Sequence, residues 1–529
     1  MGKCRVGCSI TVLTIGLIAQ ARAGTITSFT PGDLIISTVS CSVDATICNS
    51  TSGGLDTAAP IVLQQFQLGA GGTSATANGT LTLPSTISGE YGSASEGILQ
   101  QSANGQYLTM MGYGVNANTF NTAPLSTYGT AALGQTTSLT AANQTGTIYT
   151  TVPRTVALIG GAADVDTSRQ LTGVFNTNNP RSAATVDGSA FYVSGQGASK
   201  TDPTQGVFYA TLGATIATPI DNSTDTRVAS IFNTGSGNTL YVSRDYNPPG
   251  SGGQNNTNVD SLTIAGGGLP TSSAGVTDTH IIPPATPNSL GGNNGSINVT
   301  TVTENGVNNS RLGKFVYLSP EQYFFASPTV LYVTDSGQPK NGNANAAALG
   351  EGGLQKWVFT SGVWTLDYDL VAGPNLANNA NANSATPTAP GVTGLFGLTG
   401  EVVGGNVELF ATSYGLNELS PSYLYEITDT LADTSIIQAS GESFTTLDSA
   451  PGGASIRGVA FAAVPEPASL VLLATGLLGI GVFRSRRIPG RPLGKLLRND
   501  LSDRERMLDA VTGDPIQASG APSSLIPAC

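Results

Sequence analysis

Through most of the chain, apolar and polar residues alternate over short stretches that end in Gly, Asn, Asp or Ser. One phrase recurs, an aromatic and β-branched run entered through a Gly or Asn turn: NGQYLTMMGYG from Asn104, DGSAFYVSGQG from Asp187, GNTLYVSRD from Gly237, PTVLYVTDSG from Pro328 and GNVELFATSYG from Gly405. Alternation with a period of two predicts strands, and Asn-Gly, Asp-Gly and Gly-Asn supply the positive φ values of tight hairpin turns. Further β-branched or aromatic runs at 154–159, 206–212, 227–232, 353–359 and 362–369 predict a second tier of strands. Long helical periodicity is absent from this body, so the fold class read from the pattern is all-β.

A repeat built from several short antiparallel strands has the sequence character of a β-propeller blade. At roughly 60 residues per blade, residues 24–464 hold about seven blades, with six or eight also allowed. Closure has a physical motive, because an open sheet this long exposes edge strands, whereas a ring leaves only short protected ones. The ends fit a ring: the strand predicted at 34–36 lies near the start of the body, and SIRGVAFA at 455–462 lies at its end, so pairing them closes the circle. A β-helix or stacked β-sandwiches are the rival architectures, and a β-helix demands a shorter and stricter period than this one.

Two apolar runs stand outside the pattern. The first, in residues 1–23, follows Lys3 and Arg5 and closes on Ala21-Arg22-Ala23, which predicts a secretory signal peptide cleaved after Ala23. The second extends from Ala468 to Phe483, preceded by Val464, Pro465, Glu466 and Pro467 and followed by Arg484, Arg486 and Arg487. At about 1.5 Å per residue it is long enough as a helix to cross a thin hydrocarbon core, and the arginines favour the cytoplasmic side. This C-terminal order of Pro-Glu-Pro, Gly-containing apolar run and basic cluster resembles the PEP-CTERM sorting signal of Gram-negative bacteria. The resemblance implies recognition by exosortase, a membrane protease-transpeptidase, and hence transient anchoring in the inner membrane followed by release to the cell surface or beyond. Family members usually end just after the basic cluster, whereas here residues 488–529 follow, a basic and polar tail with a short amphipathic stretch at 501–510. The expected organisation is therefore a signal peptide at 1–23, a β-rich extracytoplasmic body at 24–463, a sorting signal with one membrane helix at 464–487, and the tail. FTPGDL from Phe29, GGLQKW from Gly352 and IRGVAF from Ile456 also resemble a group of bacterial secreted proteins expected to be β-propellers, a resemblance that bears on fold and not on chemistry.

Composition narrows the chemistry. Only 11% of residues are charged, 67 are Gly, and between Gly24 and Phe483 there are 11 Lys and Arg against 29 Asp and Glu. Such a surface repels phosphate backbones, which argues against a nucleic-acid partner. Calcium is the one cofactor that scattered carboxylates would suit, although no cluster in the sequence specifies a site. Cys41 and Cys48 enclose a short loop in a chain bound for an oxidising compartment, so a disulfide between them is expected.

No catalytic constellation stands out. His280 is the only histidine and has no Gly-x-Ser-x-Gly elbow as an obvious nucleophile, so it reads as a packed strand residue. Asp164 and Asp166 alternate on one strand, which gives an Asp-rich turn rather than the two-sided cleft of a glycosidase. Trp357, Trp364, Tyr332, Tyr368, Tyr414, Tyr423 and Tyr425 raise a carbohydrate-binding hypothesis against the simpler reading of inter-blade core. The sequence supports an exported, noncatalytic surface or matrix protein in an exopolysaccharide setting. The alternative is a surface hydrolase or lyase on a propeller scaffold. An enzyme should converge several Asp, Glu, Arg or Tyr side chains on one pocket, whereas a scaffold should line its channel with small neutral groups.

Overall fold

Each recurring phrase is the second strand of a four-stranded antiparallel blade. The computed structural model describes residues 24–41, 56–93, 96–140, 148–199, 201–244, 258–282, 320–336, 353–373, 392–415 and 421–464, with short strand segments between 286 and 317. The chain divides into two units, 1–465 and 466–529, and the described residues all lie in the first. The signal peptide, the tail and all of the sorting signal except Val464 fall outside them.

Six blades are present among the described residues. Blade 2 holds Gln100–Gln101, Tyr107–Tyr113, Arg154–Gly160 and Val165–Leu171; blade 3 holds Pro180–Thr185, Ala190–Gly195, Gly206–Thr211 and Thr218–Asp221. Blade 4 holds Ala229–Asn233, Asn238–Arg244, Asn258–Ile264 and Val276–His280; blade 5 holds Pro320–Ser327, Val330–Asp335, Gly353–Thr360 and Val363–Leu370. Blade 6 holds Val392–Val403, Asn406–Gly415, Tyr423–Thr430 and Thr445–Ser449. Blade 1 is built from both ends: Ala454–Phe461 supplies its first strand and Leu34–Ser40, Ile61–Leu68 and Ala75–Thr82 the next three, with Leu34 opposite Phe461 and Gly24–Thr25 added parallel at the outer edge. The expected closure between 34–36 and 455–462 is thus the pairing that completes the ring.

The count is six, within the range around seven that chain length divided by blade length allows. The excess residues lie in insertions: residues 114–153 of blade 2, which carry two short helices, and residues 283–319 between blades 4 and 5. They also make the spacing of the phrases irregular, and no degenerate blade intervenes between them among the described residues. The Asn-Gly and Asp-Gly turns behave as expected, with Gly105 at φ 76° and Gly188 at φ 82°.

The core is divided into slabs, one between each pair of neighbouring blades. Phe191 and Val193 of blade 3 pack against blade 2, whereas Tyr192 between them packs against blade 4. Likewise Leu331 and Val333 face the junction of blades 4 and 5, and Tyr332 the junction of blades 5 and 6. Alternate side chains point to opposite faces, and both faces of a blade are covered, so the second strands bury residues on both sides.

A second device ties the blades together. Each second strand carries one fully buried Ser or Thr, namely Ser37, Thr109, Ser194, Ser243, Thr334 or Thr412. Each donates to a carbonyl in or leading into the first strand of the next blade. Ser37 reaches Gly97 O at 2.7 Å, Thr109 reaches Ala183 O at 2.6 Å, and Ser194 reaches Arg227 O at 2.9 Å. Ser243 reaches Glu321 O, Thr334 reaches Phe396 O at 2.8 Å, and Thr412 returns to Arg457 O of blade 1 at 2.6 Å. The six bonds form a closed cycle around the ring.

Candidate functional site

The six first strands meet around the axis, and their trailing ends enclose a cavity of about 260 Å³. Every blade contributes to its wall, through residues such as Gln101, Thr185, Asn233, Phe324, Thr399 and Phe461. None of the described lining residues carries a charge. Its polar groups are the amides and hydroxyls of Gln, Asn, Ser and Thr, together with Tyr323, which is buried and contacts Val228 O at 3.4 Å.

Two glutamines lie across the axis beneath this cup. Gln100 donates through Nε2 to Ala183 O at 3.1 Å in blade 3 and to Ala229 O at 2.8 Å in blade 4, and its Oε1 accepts from the Ser230 hydroxyl. Gln322 of blade 5 accepts the Leu398 amide of blade 6 at 2.8 Å and reaches Leu99 O of blade 2 at 3.5 Å. Both side chains are buried, and their hydrogen bonds engage five of the six blades. The resulting floor is made of paired amides, which have no acid, base or nucleophile to offer a substrate.

Charged groups collect at the other end of the first strands. Glu96, Arg181, Arg227, Glu321 and Arg457 lie in the leading halves of these strands or just before them, each about 95% buried or more. They are matched in sign: Arg181 pairs with Asp225, Arg227 Nη1 lies 3.6 Å from Glu321 Oε1, and Ser336 donates to Glu321 Oε1 at 2.9 Å. Burial pushes the Glu96 carboxyl up to about 7, against the opposing pull of the Glu90 amide and Arg457. Burial and the neighbouring Glu96 likewise hold Glu90 well above the carboxylate range. These charged groups therefore lie away from the lining of the cup.

His280 lies on a strand, as expected, but is not packed there. It sits on the outermost strand of blade 4, partly exposed, with Nδ1 2.7 Å from the fully buried Asp260. Asp260, Asp278 and His280 offer ligand atoms within 4.8 Å of one another. A cation already occupies the group, because Arg244 places Nε 3.1 Å from Asp260, Nη1 3.1 Å from Asp278 and Nη2 2.5 Å from Asp221. One guanidinium thus bridges three carboxylates across blades 3 and 4. Asp166 of the other acidic segment pairs with Arg169 at 2.8 Å on the outer strand of blade 2, away from the cup.

The aromatic candidates divide. Trp357, Tyr332, Tyr368 and Tyr425 are buried between blades, as the core reading expects. Trp364 is only partly buried and packs against Phe325 and Phe359, two rings that the sequence did not single out. Cys41 is disulfide-bonded, and its expected partner Cys48 lies outside the described residues.

Of the seven sorting-signal residues, Pro465, Glu466, Pro467, Arg484, Arg486 and Arg487 lie outside the described residues. Val464 is half exposed, and its amide donates to Gly105 O of blade 2 at 2.8 Å, so the ring is complete where the signal begins. Residues 463–487 match the PEP-CTERM protein-sorting motif. The chain carries an exosortase address. The motif implies export and exosortase-dependent sorting to the surface of a protein whose body is a propeller. Among the described residues no helix is long and apolar enough to cross a membrane, and the apolar run of the motif lies outside them.

No curated protein matches the chain. Among solved structures it is similar to the β-propeller domain of Cps50 (Swd1) from Myceliophteria thermophila, at 9% identity over 63% of this chain and 84% of that one, with a TM-score of 0.29. It is also similar to the Bombyx mori GH32 β-fructofuranosidase BmSUC1, at 9% identity over 62% and 59% of the two chains, with a TM-score of 0.26. The β-propeller domain of the Pyrococcus furiosus Trilobed protease matches at 8% identity over 71% and 95%, with a TM-score of 0.25. Likeness this slight carries no argument about activity or ligand.

Proposed function

We propose that this protein is a noncatalytic component of the cell surface or extracellular matrix, anchored transiently in the membrane, processed by exosortase and associated with exopolysaccharide. The observation that carries the reading is the cup at the axis, which all six blades build and which is lined by uncharged groups over a floor of paired amides. Hydrolysis or elimination needs an acid and a base within reach of one substrate. Apart from Tyr323 and Glu401, the ionisable side chains of the first strands lie at the end away from the cup. The PEP-CTERM motif supports the destination, and the disulfide at Cys41 fits an oxidising compartment.

In a host that carries exosortase, the wild-type protein is expected in the matrix or medium at a mass lacking the segment beyond the motif. A variant combining Pro465→Ala, Glu466→Ala and Pro467→Ala is expected to remain with the membrane at a higher mass. Released wild-type protein that still contains residues 464–529 would sink the sorting part. New reducing ends formed by purified protein acting on polysaccharide would sink the noncatalytic part.

A further inference from the structure

An aromatic strip leads out of the cup along the junction of blades 4 and 5. Phe232 and Tyr323 line the cavity with ring centroids 5.8 Å apart, and Phe232 meets Phe325 at 5.2 Å. Phe325 meets Trp364 at 6.1 Å, and Trp364 meets Phe359 at 5.4 Å. Along this path burial decreases. Tyr323 is 1% exposed, Phe232, Phe325 and Trp364 are partly exposed, and Phe359 is 40% exposed beside Val363 at 56%.

Strand direction places the whole strip on one face. First and third strands of a blade run the same way, so the trailing end of a first strand shares a face with the trailing end of the third and the leading end of the fourth. Phe232 and Phe325 lie near the ends of first strands, Phe359 near the end of a third strand, and Trp364 near the start of a fourth. This is the face on which the cup opens.

Partly exposed rings joined to a neutral, amide-bearing cup suit a ligand with apolar C–H faces and many uncharged hydroxyls. Ring faces pack against the C–H groups, and amides can both donate to and accept from hydroxyls. Charge excludes the anionic counterpart. Glu401 and Glu408 stand opposite one another at the tip of the first hairpin of blade 6, on the same face, in a body with 28 acidic and 11 basic residues.

We propose that the cup and the strip from Phe232 to Phe359 form one binding track for a neutral polysaccharide, with sugar rings resting on Phe325, Trp364 and Phe359 and a terminal unit seated among the amides. The proposal rests on the matrix reading above and specifies the partner of that same site.

Native affinity electrophoresis of the exported protein tests it, with gels containing dextran, galactomannan or hydroxyethylcellulose as neutral polymers and polygalacturonate as the anionic one. At least one neutral polymer is expected to retard the protein while polygalacturonate does not. Trp364→Ala and Phe359→Ala are each expected to weaken that retardation at least tenfold without lowering the melting temperature by more than a few degrees. Leu212→Ala, exposed on blade 3, should leave it unchanged. The track is overturned if no neutral polymer retards the protein, if polygalacturonate retards it equally, or if both aromatic variants bind as the wild type does. Normal matrix fractionation of the wild type alongside any of these results would sink the track and leave the surface role standing.

Discussion

Lys356 Nζ lies 2.8 Å from Asp429 Oδ2, and both side chains are fully buried. The lysine belongs to the third strand of blade 5 and the aspartate to the third strand of blade 6, so the pair spans a blade junction. Lys356 also donates to Thr430 O at 2.9 Å, Leu431 O at 3.2 Å and Asp433 O at 2.8 Å, while Tyr368 donates to Asp429 Oδ1 at 2.6 Å and Tyr332 to Oδ2. A buried charge that loses its partner is far more costly than a neutral pair of the same size. Lys356→Met is therefore expected to destabilise the protein by about 3–5 kcal/mol. Adding Asp429→Asn should recover a large part of that. Chemical denaturation of the two single variants and the double variant measures the coupling, and a single-variant effect below about 1 kcal/mol would refute it.

The hydroxyl cycle makes a separate prediction. Thr412 accepts the Gly397 amide at 2.7 Å and donates to Arg457 O at 2.6 Å. Thr412→Val keeps the shape and strands both backbone groups, which should cost about 1–3 kcal/mol, whereas Thr412→Ser should cost less than half as much. Thermal unfolding of the two variants distinguishes the lost bond from lost packing.

Gly458 tests how closely blades 1 and 2 approach near the axis. A Cβ there would stand 2.1 Å from Leu99 N and 2.9 Å from Gly97 O, both backbone atoms held in the ring. Gly458→Ala should fall in the upper part of the range of about 1–3 kcal/mol for overpacking, or prevent accumulation of folded protein. Gly441→Ala, where the added carbon meets nothing within 4 Å, should be near neutral. Equal melting temperatures for the two variants would contradict the close approach.

Acidity should stabilise this protein. Burial, followed by the hydrogen bond to Asp429, pushes the Glu442 carboxyl up to about 8; burial pushes Glu96 to about 7 and Asp278 to about 6. A carboxyl whose folded pKa is raised binds more protons in the native state than in the unfolded state between its two pKa values, so stability falls as pH rises through that window. His280 acts in the same direction, since its hydrogen bond to Asp260 raises its pKa and the associated stability is lost as pH rises through the folded value. The melting temperature is expected to be higher near pH 5 than near pH 8, and Glu442→Gln should flatten the upper part of the slope. A melting temperature that increases steadily from pH 5 to pH 8 would reverse the sign and reject the assignment.

Local pattern in the sequence was enough to show the second strands, several of their neighbours and the export address. Tyr-Leu-Thr at 107–109, Tyr-Val-Ser at 192–194 and 241–243, Tyr-Val-Thr at 332–334 and Phe-Ala-Thr at 410–412 announce second strands, because alternation and turn chemistry act between near neighbours. The PEP-CTERM motif is legible for the same reason, being a contiguous order of residue types. The number of blades, the pairing of Lys356 with Asp429 and the amide floor were decided by tertiary structure alone. Their partners lie far apart in the chain, 421 positions for Gly458 and Ser37 and 129 for Gln100 and Ala229. Nothing in the residue type of Gln100 says that it will cross an axis, because the axis exists only once Phe461 has come to lie beside Leu34 and the ring has closed.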